Sequence, residues 1–330
     1  MTTDKYPDAW KKRFLSSGLP LETLAHEIVK KSGYIDIGGG EFERDGNDFS
    51  IDMIFQKQFK KPQLENMHFP NDFYFKIQFF IECKYLKSPK CLAFSAFRGT
   101  PFRDVQLNSI DYSGIDYLNQ KCKFTETQMR EIYITFVFQT IGSSIVEFNK
   151  GTILDNEKQP DLLYKARNQI SFVILNKFIE TIRNKLLFDF GLKKMEKAKS
   201  DDLSNMMNQF IIGIPVIITN GSIFGMKQGL SLKDVENSNS FEDIFTEYDY
   251  ICLVTPPLGH VQKHFHNDIL GMKEIIKKYK TNTVSSVSAM VSLLESIPSR
   301  FYVVNVNKLH EFIENIEKYI LSTFKNIFNK

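Results

Sequence analysis

The chain has 330 residues, of which 42% are hydrophobic and 25% are charged, and its formal net charge at pH 7 is +3. This composition excludes a disordered or collagen-like protein, and the length suits one elaborated domain or two small ones. The longest apolar run, residues 210–218, is far shorter than the ~20 residues of a membrane span. Residues 1–10 lack the apolar stretch of a signal peptide, and the four cysteines lack zinc spacing. We therefore expect a cytoplasmic protein with reduced thiols and no membrane partner.

The first predicted element is a helix that begins near Pro20 and ends near Gly33. Proline suits the first helical turn and glycine suits the end of a helix, and the apolar residues between them follow the spacing of one buried stripe. At about 100° per residue, Glu22 lies at the edge of this stripe, whereas Glu27 lies on the far side. Glu22 is therefore better placed to join a site. The simpler alternative is that it only favours the dipole at the helix N-terminus.

A short β-patterned run, residues 49–55, follows a glycine-rich turn at residues 38–40. Apolar residues such as Ile51 and Met53 alternate with polar ones in this run. Successive side chains of a strand point to opposite faces, so Asp52 is predicted on the polar face of this strand.

The next β-patterned segment, residues 73–86, contains a Glu-x-Lys sequence. Alternation places Glu82 and Lys84 on the same face, together with the apolar Phe80. A carboxylate among apolar side chains is partly covered, and a covered charge requires a partner or a metal. If this strand pairs with the strand of Asp52, two carboxylates and one ammonium group share one face of a sheet.

These are the residue types that phosphodiester hydrolysis requires. A hard divalent cation such as Mg²⁺ or Mn²⁺ generates hydroxide from water, offsets charge on the phosphate, and binds through carboxylates. Asp52 and Glu82 would hold this cation, and Lys84 would orient or deprotonate the water or neutralise the phosphate. The simpler alternative is a solvated strand face with a cross-strand ion pair.

The order of these motifs is also that of a known family. Asp52, followed on the next strand by Glu82-Cys83-Lys84 and preceded by a helix that carries Glu22, resembles the PD-(D/E)xK nuclease superfamily. That group includes type II restriction enzymes and many repair and phage-defence nucleases. The resemblance implies an α/β fold with a restriction-endonuclease-like core, in which helices flank a mixed central sheet.

The resemblance, which covers about residues 18–220, adds three site residues. It implies that Glu22 completes the metal site, that the backbone carbonyl of Cys83 is a further ligand, and that Gln169 helps to position the catalytic lysine or the phosphate. The chain departs from the family pattern at Ile51, where many members have a proline before the aspartate.

We expect a single elaborated domain over residues 1–330. Its expected parts are a core at 18–87 and 161–220, an irregular, aromatic-rich insertion at 88–160, and an extension of the sheet and helices at 221–330. The patterns predict helices at residues 162–190, 267–280 and 307–327, and strands at residues 131–140, 210–219, 250–255 and 301–306.

Two further groups of residues bear on partners. Lysine clusters attract phosphate backbones, although solvated helix faces carry them as well. These lysines are Lys57, Lys60, Lys61, Lys87, Lys90, Lys193, Lys194, Lys197 and Lys199. For His260, His264 and His266 we expect a surface or substrate-contact role and not a second metal site.

Together these observations predict a Mg²⁺- or Mn²⁺-dependent nuclease, with DNA as its substrate, in phage defence, restriction or repair. Because one site cuts one strand, we expect a homodimer or a subunit of a defence complex. Two alternatives stay open. One is a catalytically silent nucleic-acid-binding or assembly subunit of the same fold, and the other is an RNA-directed nuclease.

Overall fold

The structure of the chain is a computed structural model. It describes residues 9–44, 46–59, 74–86, 91–96, 108–111, 147–154, 162–189, 209–255, 259–279 and 300–328. Within these ranges, no helix is both long and apolar enough to cross a membrane.

The N-terminal part consists of two helices, a short strand and a hairpin. These elements are α1 (Ala9–Ser16), α2 (Leu19–Lys31), β1 (Ile35–Asp36), β2 (Gly40–Arg44) and β3 (Asn47–Ile51). Helix α2 confirms the helix predicted from the apolar stripe. Strands β2 and β3 pair only with each other in a two-stranded sheet, separate from the main sheet.

The main sheet begins after this hairpin and recruits strands along the rest of the chain. Its strands are β4 (Met53–Phe59), β5 (Tyr74–Lys84), β6 (Cys91–Ala96), β7 (Asn108–Asp111), β8 (Glu147–Leu154), β9 (Gln209–Thr219), β10 (Ile223–Met226), β11 (Phe245–Tyr248), β12 (Tyr250–Val254) and β13 (Arg300–Asn305). The strand order is β1-β4-β5-β9-β13-β12-β8-β6-β10-β11, and β7 pairs with β9. The sheet is mixed, since β4 is antiparallel to β5 and β9 is parallel to it.

Helices lie on both faces of this sheet. The helices described after β8 are α3 (Leu162–Asp189), α4 (Leu232–Glu236), α5 (Phe241–Ile244), α6 (Gly259–Tyr279) and α7 (Leu309–Phe328). Helix α3 packs on one face of β5, where Lys177 Nζ lies 5.6 Å from the centre of the Phe80 ring. On the other face, the Phe79 ring contacts Tyr34, which follows α2, and Phe312 of α7, with centroid distances of 4.9 and 6.4 Å. Alternate residues of β5 therefore face opposite helical layers.

Helix α3 connects β5 to the parallel strand β9, with residues 85–161 between β5 and α3. Its central turn is buried on every side, because the sheet covers one side and α6 and the β2–β3 hairpin cover the others. The sequence predicted its length correctly, but its amphipathic character is lost where these layers enclose it. A mixed α/β fold with a central sheet between helices is thus confirmed.

Three predicted features differ in the structure. The single strand predicted over residues 49–55 is wrong, because the chain bends at Asp52 and leaves the hairpin for the main sheet. The prediction that residues 88–160 are irregular is wrong for the part described, since β6, β7 and β8 belong to the main sheet. The helix predicted at residues 267–280 begins earlier, at Gly259. The strand predicted at residues 131–140 lies outside the described residues.

Strand β10 gives a test of the packing at the far side of the sheet. A Cβ added at Gly225 would overlap the rings of Phe148 and Tyr248. We expect Gly225→Ala to lower the free energy of unfolding by about 1 to 3 kcal/mol in urea titrations, because overpacking forces neighbouring side chains to shift. As a control, Gly271→Ala in α6 meets no atom within 4 Å and should raise stability by up to about 1 kcal/mol. Equal stability of the Gly225 variant and the wild type would contradict this packing.

Candidate active site

The bend at Asp52 brings this residue opposite Glu82. Strand β4 begins at Met53, which pairs with Ile81 in the antiparallel ladder, so continuing the register by one residue sets Asp52 against Glu82. The bend is possible because Gly39 approaches the chain closely here: a Cβ on Gly39 would lie 3.0 Å from the carbonyl oxygen of Ile51. The glycine-rich turn therefore has a steric role at the site.

A hydrogen bond fixes Asp52 to the next strand. The backbone N–H of Cys83 donates to Asp52 Oδ2 at 2.6 Å. Although Asp52 is exposed on its outer side, the surrounding protein raises its pKa by burial, and the Cys83 amide and Lys84 oppose this effect. Burial together with nearby carboxylates raises the pKa of the Cys83 thiol well above its usual value. The thiol is therefore protonated at neutral pH. The metal ligand predicted at Cys83 is its backbone carbonyl and not its thiol.

Glu82 is the most unusual side chain in the structure. It is fully buried, with 0% of its surface exposed, at the end of a strand that is covered on both faces. Its Oε2 accepts a hydrogen bond from Lys84 Nζ at 2.5 Å, whereas its buried Oε1 has no hydrogen-bond partner among the residues that the structure describes. Burial and the neighbouring Asp52 raise the pKa of Glu82 to about 7, although Lys84 and the Asp52 backbone amide favour the charged form.

Lys84 connects the carboxylate to helix α3. Its Nζ lies 3.5 Å from Gln169 Oε1, in addition to the bond to Glu82, and 19% of its side chain is exposed. The structure therefore brings Gln169 to the lysine, on the helix where the resemblance to the nuclease family implies it. Sequence reasoning did not consider Lys165, which lies one helical turn before Gln169 on the same side of α3.

Glu22 lies in the first turn of α2 and belongs to the same electrostatic group. Its side chain is half-buried, and its pKa is raised by burial and by Asp52 and lowered by Lys84. Asp52 and Lys84 are therefore close enough to influence the Glu22 carboxylate. Its place in the first helical turn also suits the helix dipole, so the alternative role stays compatible with the structure.

The donor set fits a hard divalent cation that keeps most of its waters. Among the described residues, no group of three or more His, Cys, Asp or Glu side chains is arranged to hold a metal. Mg²⁺ needs fewer protein ligands, since one or two carboxylates and several waters suffice. Glu82 Oε1, which has no hydrogen-bond partner among the described residues, and the adjacent Asp52 carboxylate are the oxygens that could bind such a cation.

The other residues considered from the sequence lie elsewhere. His264 packs on Phe172 and His260 packs on Tyr164, so the described histidines do not converge on a metal. Lys57 pairs with Glu317 of α7 at 2.7 Å, on the part of β4 remote from Asp52. The remaining predicted lysine clusters lie outside the described residues.

The β2–β3 hairpin is held by contacts that the sequence did not indicate. Arg44 and Arg183 both bond to Asp268 of α6, and Phe49 stacks on Phe172 of α3 with a centroid distance of 3.4 Å. Because Asp52 directly follows this hairpin, these contacts help to set its position.

Comparisons with protein-family models, with curated proteins and with solved structures return no match for this chain. The case for a function therefore rests on the residues described above.

The raised pKa of Glu82 predicts how stability depends on pH without divalent metal. The unfolded chain ionises this group near its ordinary pKa of 4.5, and the folded chain ionises it near 7. Between these two pKa values the folded chain holds a proton on Glu82 that the unfolded chain has released. The free energy of unfolding therefore falls as pH rises through this window. In EDTA, the free energy of unfolding should fall by about 3 kcal/mol from pH 5 to pH 8, at 1.36 kcal/mol per unit.

The matched variant is Glu82→Gln, which keeps the shape of the side chain and removes its charge. It should be more stable than the wild type at pH 8 and should show a flatter pH profile in the same urea titrations. A wild-type profile that rises over this range, or an unchanged slope in the variant, would show that Glu82 ionises normally.

Proposed function

We propose that this chain is a metal-dependent nuclease of the PD-(D/E)xK kind, with DNA as its substrate. The observation that carries this proposal is the environment of Glu82: a fully buried carboxylate, beside Asp52 and bonded to Lys84, with one oxygen that has no hydrogen-bond partner among the described residues. A buried ion pair is most stable when its remaining lone pairs are satisfied, so this oxygen favours a further ligand over a purely structural role.

The fold supports the same proposal. Strands β1, β4, β5 and β9 lie side by side, and the chain passes from β5 through α3 to the buried parallel strand β9. A helix after the Glu-x-Lys strand, followed by a buried strand, is the continuation that the resemblance implies. Glu22 on α2 and Gln169 on α3 approach the site from two different helices.

Each side chain then has a defined task. Asp52 and Glu82 would hold Mg²⁺ or Mn²⁺, with the carbonyl of Cys83 as a further ligand, and the cation would supply hydroxide and offset charge on the phosphate. Lys84, between Glu82 Oε2 and Gln169 Oε1, orients the attacking water or neutralises the phosphate oxygens. Glu22 would assist such a cation by hydrogen bonding to its water ligands.

The proposal extends to partners. Cleavage of a duplex needs two such sites, so the chain acts as a homodimer or within a defence complex in the cytoplasm. Exposed apolar side chains on α1 and α2, namely Phe14, Leu19 and Leu24, offer surface for a protein contact. A catalytically silent binding subunit is disfavoured because Asp52, Glu82 and Lys84 are all present.

The test of catalysis is Lys84→Ala, assayed with Mg²⁺ on duplex DNA, single-stranded DNA and RNA of equal length. Cleavage should fall by at least about 10²-fold, because a positioned acid–base group contributes 10²- to 10⁴-fold. Affinity for nucleic acid should change little, since one phosphate-contacting charge among many is lost.

Lys76 provides a matched control. It lies on the same strand and the same face as Lys84, eight residues or about 26 Å away, and Lys76→Ala should cleave like the wild type. If Lys84→Ala cleaves as fast as the Lys76 variant, Lys84 has no catalytic role. The substrate that the wild-type protein cleaves fastest shows whether the nuclease acts on DNA or on RNA.

A second test concerns Glu22. Glu22→Gln should raise the Mg²⁺ concentration for half-maximal cleavage several-fold, because it neutralises a group that holds metal or its waters. Glu27→Gln, on the exposed side of the same helix, should leave this concentration unchanged. If Glu22→Gln costs less than about 1 kcal/mol of stability and leaves the Mg²⁺ dependence intact, Glu22 acts on the helix dipole alone.

A further inference from the structure

The N-terminal turns of α3 and α6 form a cationic surface beside the candidate active site. It comprises Tyr164, Lys165 and Arg167 of α3 and His260 and Lys263 of α6, and we call it the α3–α6 surface. Tyr164, Lys165, His260 and Lys263 are exposed, and Arg167 is half-buried. The two helices pack against each other, so these residues lie on one continuous face.

Contacts within this surface hold it in one arrangement. The Tyr164 hydroxyl lies 3.3 Å from His260 Nδ1, and the two rings are 5.5 Å apart. Arg167 donates to Thr255 Oγ1 at 2.8 Å, and its guanidinium lies 5.6 Å from the centre of the Phe301 ring. A surface that is already ordered loses less conformational entropy when it binds a ligand.

Among the described residues, no ion pair neutralises the exposed lysines of this surface. Asp268 of α6 is bonded by both Arg44 and Arg183. Within the described part of the chain, neither Lys165 nor Lys263 forms an ion pair. Burial, together with the neighbouring His264, Arg167 and Lys263, lowers the pKa of His260, so at neutral pH the arginine and the lysines carry the charge of this surface.

The position of Lys165 relates this surface to the site. Residues four apart on a helix lie on the same side, so Lys165 is one turn from Gln169, which contacts Lys84. That turn measures about 6 Å along the helix axis, and successive phosphates of one strand rise about 3.4 Å. If the axis of the nucleic acid runs parallel to α3, a strand with one phosphate at Lys84 has another, about two nucleotides away, at the level of Lys165.

Charge on the far side of the sheet has the opposite sign. Residues 231–249, around β11 at the edge of the sheet, include six acidic residues and one lysine. These acids are Asp234, Glu236, Glu242, Asp243, Glu247 and Asp249. A polyanion is repelled by that edge and attracted to the α3–α6 surface.

We propose that the α3–α6 surface binds the phosphodiester backbone of the nucleic acid next to the bond that is cut. Lys165 and Lys263 contact phosphates directly, and Tyr164 with His260 forms the ordered surface between them. This inference rests on the proposed nuclease function, and it names the part of the chain that holds the substrate in register with Lys84.

The test measures binding without cleavage, by fluorescence anisotropy at pH 7.5 in EDTA over a salt titration. The ligands are duplex DNA, single-stranded DNA, single-stranded RNA and, as an acidic-protein substitute, polyglutamate of similar length. The double variant Lys165→Gln/Lys263→Gln should bind nucleic acid about tenfold or more weakly at 0.1 M salt, and its salt slope should fall by about two.

Lys277→Gln is the control, because Lys277 is exposed on nearly the same side of α6 as Lys263, about 21 Å further along the helix. It should keep wild-type affinity and slope. Wild-type affinity and salt slope in the double variant would contradict the proposed role of this surface. A wild-type protein that binds no nucleic acid would contradict it as well. Equal binding of polyglutamate with the same lysine dependence also overturns the assignment to phosphodiesters.

The outcome is separable from that of the nuclease proposal. If cleavage requires Lys84 but not Lys165 and Lys263, the nuclease proposal stands and the proposed role of the α3–α6 surface is wrong. If binding depends on Lys165 and Lys263 but the chain never cleaves nucleic acid, the surface is confirmed and the nuclease proposal is wrong.

Discussion

The candidate site depends on one costly placement, a carboxylate buried inside the sheet. Glu82 lies on β5, between β4 and β9, where apolar residues cover both faces of the strand. Lys84 offsets part of the desolvation, yet Oε1 stays unpaired and the pKa remains near 7. An apolar residue of similar volume would stabilise a sheet at such a position better than an incompletely paired charge. The fold thus gives up stability here, and the proposed active site would account for that loss where packing does not.

The placement of Asp52 shows how distant elements build one site. Asp52 lies at the point where the chain leaves a two-stranded hairpin for the main sheet. The hairpin is held by stacking of Phe49 on Phe172 and by Arg44, which bonds to Asp268. The Cys83 amide then fixes the carboxylate from the opposite side. Helices α3 and α6 therefore influence the site through the hairpin as well as through Gln169.

Sequence reasoning succeeded where one local signal determines an element. Helix α2 and strands β5 and β9 follow from spacing alone, and the alternation in β5 correctly set Glu82 and Lys84 on one face with Phe80. It failed where the outcome depends on partners remote in the chain. The bend at Asp52 requires the hairpin to pair with itself, and β6 requires β8 and β10 as neighbours. Alternation cannot reveal such pairings, because it specifies faces and not partners.

The electrostatics of the site connect metal binding to the availability of Lys84. The pKa values of Glu22, Asp52 and Glu82 are all raised, with burial as the largest cause, so in the proposed nuclease a cation would compete with protons for the same oxygens. Lys84 meanwhile donates to Glu82 and cannot at the same time neutralise a phosphate with that hydrogen. In the proposed reaction, charge brought to Glu82 by a cation weakens the hold on Lys84, because the carboxylate is then shared between two positive groups. Gln169, 3.5 Å away, still holds the ammonium group at the site. In the proposed reaction, Lys84 would therefore be freer to reach the substrate when Glu82 holds a cation, whereas in the structure Glu82 neutralises it.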